Sequence, residues 1–142
     1  MENFSEIERA NKAVVGRFNR EFIEQGSEAS FNELVAPEFV NRSAAPGMPS
    51  GPEGLLQMFN HVLRPALAEL SVEICDQIAE GDKVTTRKII RGVHRGVLFG
   101  IPPTNQQVTI DVIDIVRVER GRYAEHWGIN TLPSVLQRLR GQ

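Results

Sequence analysis

Residues 106–130 read QQVTIDVIDIVRVERGRYAEHWGIN. From Val108 to Val118 every second position is apolar except Asp114, so Val108, Ile110, Val112, Asp114, Val116 and Val118 share one face of an extended strand. Arg120 and Gly121 supply the turn, and YAEHWGIN returns as a second strand. On that return strand strict alternation puts Ala124, His126, Gly128 and Asn130 on one face, and Tyr123, Glu125, Trp127 and Ile129 on the other.

Working back along the chain, LSVEICDQIAEGD (residues 70–82) and KVTTRKIIRGVHRGVLFG (83–100) read as a further pair of strands joined at Glu80, Gly81 and Asp82. GIPPTN (100–105) is a loop, because two consecutive prolines cannot donate to a sheet ladder. The first half has a helical period. Phe4, Ile7, Val14, Phe18 and Phe22 recur at helical spacing behind a capping-box pattern at Ser5 and Glu8, which predicts one amphipathic helix ending near Gly26. A short helix around SFNELV (30–35) precedes an extended piece at PEFVNRS (37–43), with Pro37 and Pro46 as helix breakers. SGPEGLLQMFNHVLRPAL (50–67) predicts a second long helix, with Ser50 and Glu53 as its capping box and a kink or stop before Pro65. LPSVLQRLRG (132–141) closes the chain as a short helix. Helices followed by an antiparallel meander make an α+β fold, and strands of this length twist and curl, leaving a pocket at the open end.

With 142 residues, no repeat and no linker, the whole chain, 1–142, is expected to form one domain. A net charge of -2 without a basic run leaves no footprint for nucleic acid or an acidic membrane. Cys75 stands alone, so neither an internal disulfide nor a multi-thiolate zinc site can form; this suits a reducing cytoplasm. The charged amino terminus and the lack of a long apolar run point to a soluble, cytoplasmic protein without a membrane span.

Asp114 is the single ionisable group in its apolar row. Desolvation there would raise its pKa and make an acid/base group that works near neutral pH; the alternative is a structural pair with a strand neighbour such as Arg87, or a cap on a backbone group. His94 lies between Gly92 and Gly96, and His126 faces the same way as Asn130; either imidazole serves as acid, base or hydrogen-bond donor, or as a satisfied structural group. Trp127 is expected to fill the core or to form a flat wall for a ligand. His94, Asp114 and His126 have no local metal-ligand spacing, so no metal is expected. The chain has no G-x-S-x-G elbow, P-loop or G-x-G-x-x-G.

In order, PEFVNR, GPEGL, EGDKV, RGVHRGVLFGIPPTNQQV, IDIVRVERGR and EHW resemble the SnoaL-like polyketide and ester cyclase family over roughly residues 5 to 135. The resemblance implies a cone-shaped α+β roll of the nuclear transport factor two type and a homodimer joined through the outer sheet face. It also implies cofactor-free intramolecular aldol closure of polyketide esters by a pocket Asp. Two positions depart from the family pattern. Arg42 stands where a His is common, and Gly128 and Asn130 follow EHW where an Asp is common. An amide cannot exchange protons near neutral pH, so the acid/base role passes to Asp114, assisted by His94 or His126. Arg87 would tune the local charge, Asn130 would contact the substrate, and Trp127, Phe59 and Leu98 would supply apolar wall or lid. The expected substrate is a small apolar carbonyl compound. The alternatives are a non-catalytic binding or association module, or a related isomerase or epoxide hydrolase.

Overall fold

The computed structural model describes residues 4–141, and of Phe4 only the backbone; the terminal Met1–Asn3 and the inward side chain expected of Phe4 lie outside the described residues. Helix α1 (Phe4–Arg17) runs directly into a π-helical stretch, Phe18–Glu24, and α2 (Glu28–Leu34) follows. Strand β1 (Val35–Asn41) leads to α3 (Pro52–Leu56), a second π-helical stretch at Gln57–Leu63, and α4 (Arg64–Ala66). The long strands are β2 (Leu67–Glu80), β3 (Lys83–His94), β4 (Gln107–Glu119) and β5 (Arg122–Asn130), and α5 (Leu132–Leu139) ends the fold.

The five strands form one curved open sheet in the order β1-β5-β4-β3-β2, packed against the helices. The β2–β3–β4–β5 meander is antiparallel, and the extended piece at 37–43 becomes part of an edge strand, β1, parallel to β5. An edge position explains how β1 accommodates Pro37, which has no N–H to give to a ladder. The two turns have the backbone their residues favour, with Gly81 at φ +61°, Arg120 at +53° and Gly121 at +77°. The alternating row on β4 is as read: Val108, Ile110, Asp114, Val116 and Val118 are buried, while Thr109, Asp111, Ile113 and Ile115 are exposed.

Both capping boxes are overturned. Ser5 lies inside α1, and Glu8 accepts the backbone N–H of Gly81 at the β2–β3 turn (3.0 Å). At α3 the cap is Gly51 with Pro52 in the first turn, and no side chain caps the helix. Pro65 does not stop the second helix either. The preceding π-helical turn, in which the Arg64 N–H bonds Phe59 O, carries the chain past a residue with no donor, and the helix ends at Ala66.

The two long helical runs are tied by Arg64. Its guanidinium donates to the carbonyls of Phe22 (2.7 Å), Ile23 (2.8 Å) and Glu24 (3.0 Å) at the end of the first helical run, where carbonyls run out of partners within the helix. Gly26 turns the chain at φ +73° beside this contact, and a Cβ there would meet Arg64 Nε at 2.7 Å. Beneath lies the aromatic centre, where Phe22 is fully buried and its ring centroid sits 4.7 Å from Phe31, 5.3 Å from Phe18 and 5.8 Å from Phe59. Phe22→Ala is expected to lower the unfolding free energy by about 3–5 kcal/mol in a denaturant melt, because these rings cannot collapse fully into the space left.

Candidate functional site

The concave face of the sheet, the two helical runs, the 43–49 loop and α5 enclose a cavity of about 810 Å³. Phe18, Leu55, Met58, Phe59, Leu63, Ile90, Ile110 and Val112 make its wall mostly apolar. Besides Arg140, which borders the cavity from the chain's last turn, three groups able to carry charge reach it from the sheet, each supplied by a different strand. Asp114 comes from β4, Lys88 from β3 and His126 from β5, and strand alternation turns all three to the same side.

Asp114 is 5% exposed and Lys88 4%. Asp114 Oδ2 lies 3.4 Å from Lys88 Nζ and 3.3 Å from His126 Nε2, while Oδ1 is buried with no hydrogen-bond partner among the described residues. Each partner is held from behind. Lys88 Nζ donates to Asn19 Oδ1 (2.7 Å), and Asn19 Nδ2 donates to Val15 O (2.9 Å) on α1. His126 Nδ1 is 2.9 Å from Asn41 Oδ1 on β1. That oxygen also accepts the Ser43 backbone N–H (3.0 Å), which identifies it as the acceptor and makes Nδ1 the donor. Nε2 therefore meets the carboxylate either with a proton between them or with two lone pairs opposed.

Burial is the largest single influence on Asp114 and pushes its pKa up. The Lys88 charge, the hydrogen bond from His126, the His126 charge and the Lys88 contact together outweigh it, so the pKa is lowered below the ordinary value. Of the two readings of Asp114, the raised pKa is corrected, and the pair with a strand neighbour is what is found, with Lys88 in place of Arg87. β4 by itself offers only Val and Ile around Asp114, whereas the neighbouring strands bring two cations to it.

Gly128 is paired directly with Asp114 across β4 and β5. A Cβ at that position would meet His126 Cε1 at 2.9 Å and Asp114 Cβ at 3.2 Å. The missing side chain is what lets the imidazole lie against the carboxylate.

Of the residues singled out from the sequence, Asp114, His126, Phe59 and Asn130 line the cavity. Asn130 stands at the exposed end, where its Oδ1 accepts the Leu132 N–H at the start of α5 (2.9 Å). The other four lie elsewhere. His94 is fully buried at the far end of β3, its Nδ1 accepting the Thr104 N–H (3.3 Å) and lying 3.0 Å from Thr104 Oγ1. Side chains at Gly92 and Gly96 would collide with Leu67 Cβ and the Pro65 carbonyl, so the glycines admit packed neighbours there. Arg87 is on the outer face with Asp76 (2.7 Å), one residue out of phase with Lys88. Trp127 is half-buried and pairs with Ile115 on that same outer face, so it neither fills the core nor walls the cavity. Leu98 is core beneath the 95–106 loop, and its neighbour Phe99 borders the cavity.

Sequence reasoning missed Lys88, Asn19, Asn41 and Tyr123. A signal for Lys88 existed, since Val84, Thr86, Lys88 and Ile90 follow the inward period of β3, but Arg87 next to it drew attention as the cation. Tyr123, expected to face outward, is buried and borders the cavity. Beyond these, no group of three or more His, Cys, Asp or Glu suited to a metal occurs among the described residues. No helix among them is long and apolar enough to cross a membrane.

A model of the SnoaL-like polyketide cyclase family matches residues 13–139. Nogalonic acid methyl ester cyclase of Streptomyces nogalater is 24% identical over 102 residues, which cover 71% of this chain and 76% of that protein. The fold also matches solved structures. A candidate SnoaL-like polyketide cyclase from Jannaschia sp. CCS1 has a TM-score of 0.84 and 24% identity, over 100% of this chain and 99% of that one. IdmH of Streptomyces antibioticus, a candidate polyketide cyclase, has a TM-score of 0.79 and 26% identity, over 92% of this chain and 98% of that one.

The charge balance at Asp114 is open to a direct check. In Lys88→Met the burial effect should prevail and the Asp114 pKa should rise, read from its side-chain carboxyl carbon in an NMR pH titration. In the unaltered protein the lowered pKa contributes stability above the unfolded-state value and loses it as pH falls through the folded-state value. Removing Lys88 should reverse that dependence and cost about 3–5 kcal/mol at neutral pH, because it leaves a buried charge without its partner.

Proposed function

The chain belongs to the SnoaL-like polyketide cyclase family, and from that membership we propose that it is a cofactor-independent cyclase performing intramolecular aldol chemistry on an apolar, carbonyl-bearing substrate. One observation carries the reading. Within a mostly apolar cavity, a buried carboxylate keeps one oxygen, Asp114 Oδ1, without a partner while Lys88 and His126 hold the other.

Asp114 acts as the base. Its Oδ1 takes a proton from a carbon next to a carbonyl, the C–H electron pair moves onto that carbonyl oxygen, and the enolate carbon attacks a second carbonyl of the same molecule. A C–C bond forms, the second C=O becomes an alkoxide, and the proton returns to it through Asp114 or His126, so substrate and product have the same mass. Lys88 holds the carboxylate ionised beside the reacting carbon, and a fixed charge of this kind needs no rearrangement during the reaction.

The lowered pKa narrows the substrate class. A weakly basic carboxylate is ionised at neutral pH but has little power over an ordinary ketone. It suits a carbon between two carbonyls, as in a β-keto ester, whose C–H is already acidic. An ester substrate also agrees with the relative named for a methyl ester. The cavity volume is within the range of sites that enclose a molecule of several fused rings.

An aryl β-keto ester incubated in D2O should take up deuterium at the carbon between its carbonyls faster than without protein, measured by mass spectrometry. Asp114→Asn should slow this by about 10²–10⁴-fold while the circular dichroism spectrum stays unchanged. Uptake at the background rate with bound ester would favour the non-catalytic binding module. The acid limb of the activity should lie below the ordinary carboxylate range and move to higher pH in Lys88→Met. On the outer face, exposed Ile113, Ile115 and Ile129 lie beside Trp127, and we take this patch as the contact between two copies. A sedimentation mass of one chain at micromolar concentration would remove that assignment.

A further inference from the structure

Tyr123 is the single tyrosine in the chain. Strict alternation from His126 would point it outward with Glu125 and Trp127. The pairing of β4 with β5 shifts register between Arg117, opposite Glu125, and Val118, opposite Tyr123. Ala124 is the extra residue of this bulge, and beyond it the side chain of Tyr123 rejoins the inner face. Bulges of this kind re-aim side chains beside functional sites.

The ring is fixed by Phe18, 4.3 Å away between centroids, and by Phe39 at 6.5 Å. Tyr123 is 3% exposed and borders the cavity, and no hydrogen bond to its hydroxyl is made among the described residues. A phenylalanine would pack against Phe18 and Phe39 equally well, and the hydroxyl, which borders the cavity without a protein partner, adds nothing to that packing. The hydroxyl therefore has no structural account. Burial first, and the nearby Asp114 charge second, raise its pKa well above the ordinary value, so it remains a donor.

We propose that Tyr123 is a further catalytic residue, whose hydroxyl donates a hydrogen bond to the oxygen that becomes negative when Asp114 takes the substrate's proton. The proposal rests on the acid/base reading of Asp114. Only the carbon-bound proton moves, to Asp114 Oδ1; Tyr123 keeps its own and holds the enolate oxygen through it. Lys88, bound to Asn19 and Asp114, and His126, bound to Asn41 and Asp114, are committed to the carboxylate side. Tyr123 approaches from farther along β5, so the reacting carbon would lie between a base and a separate donor.

Because the tyrosine is unique, its signals belong to one residue. Protein labelled with ¹³C at the tyrosine ζ carbon should show one tyrosine resonance. A series of ring-substituted 2-naphthols of graded acidity, flat phenols whose anions mimic an enolate, should bind by calorimetry and shift that resonance, more so for the more acidic members. Tyr123→Phe should weaken binding of the most acidic naphthol about 10- to 100-fold, the range for a hydrogen bond to a charged oxygen, and leave the melting temperature unchanged or higher. In turnover of the β-keto ester the same variant should lower kcat with little change in KM. Naphthols that bind without moving the resonance, that bind Tyr123→Phe equally well, or that fail to bind across the whole series overturn the proposal. Loss of exchange in Asp114→Asn with the resonance shift retained separates the two readings, since the naphthol assay needs no turnover.

Discussion

An ionised carboxylate can remain inside a mostly apolar cavity only if positive charge stands against it. Asp114 meets this requirement through Lys88 at 3.4 Å and His126 at 3.3 Å, both on the same oxygen. Much of the surrounding architecture supports those two contacts. Asn19 sits at the start of the π-helical stretch after α1 and holds Lys88, and Asn41 at the end of β1 holds His126. Four elements of the chain thus converge on one carboxyl group. The other carboxyl oxygen is left without a hydrogen-bond partner among the described residues.

The geometry that brings them together is set by the sheet. Strands of 14, 12 and 13 residues twist enough to curl over the helices, and the curl gives the inner face a hollow that a flat sheet of the same residues would lack. Local departures from the regular ladder then aim the polar groups. Gly128 makes room for the imidazole, and the bulge at Ala124 turns Tyr123 inward. The lowered Asp114 pKa and the unpaired oxygen are consequences of this placement, and they are the support for the proposed base acting on an already acidic C–H.

The amino-acid sequence by itself determined the order and type of the elements. Alternation over Val108–Val118, the Gly81 and Gly121 turns, and helical spacing through Phe18 and Phe22 are local signals with a fixed physical period. Asp114 could be read as inward-facing for the same reason, and so could His126, since both lie in regular stretches of strand. Capping was less legible. Ser5 with Glu8 and Ser50 with Glu53 have the right spacing, but Glu8 finds a better partner in the Gly81 N–H, a contact between distant segments.

Only the tertiary structure decided what surrounds Asp114. The sequence showed its valine neighbours along β4 and implied a raised pKa; cross-strand packing supplied Lys88 and His126 and reversed the direction. It likewise sent Arg87 and Trp127 to the outer face, buried His94 beside Thr104, and moved Tyr123 across the sheet through one inserted residue. The reason is physical: a strand's period fixes which side each residue takes, but register, bulges and the partner on the next strand are set by contacts between segments far apart in the chain.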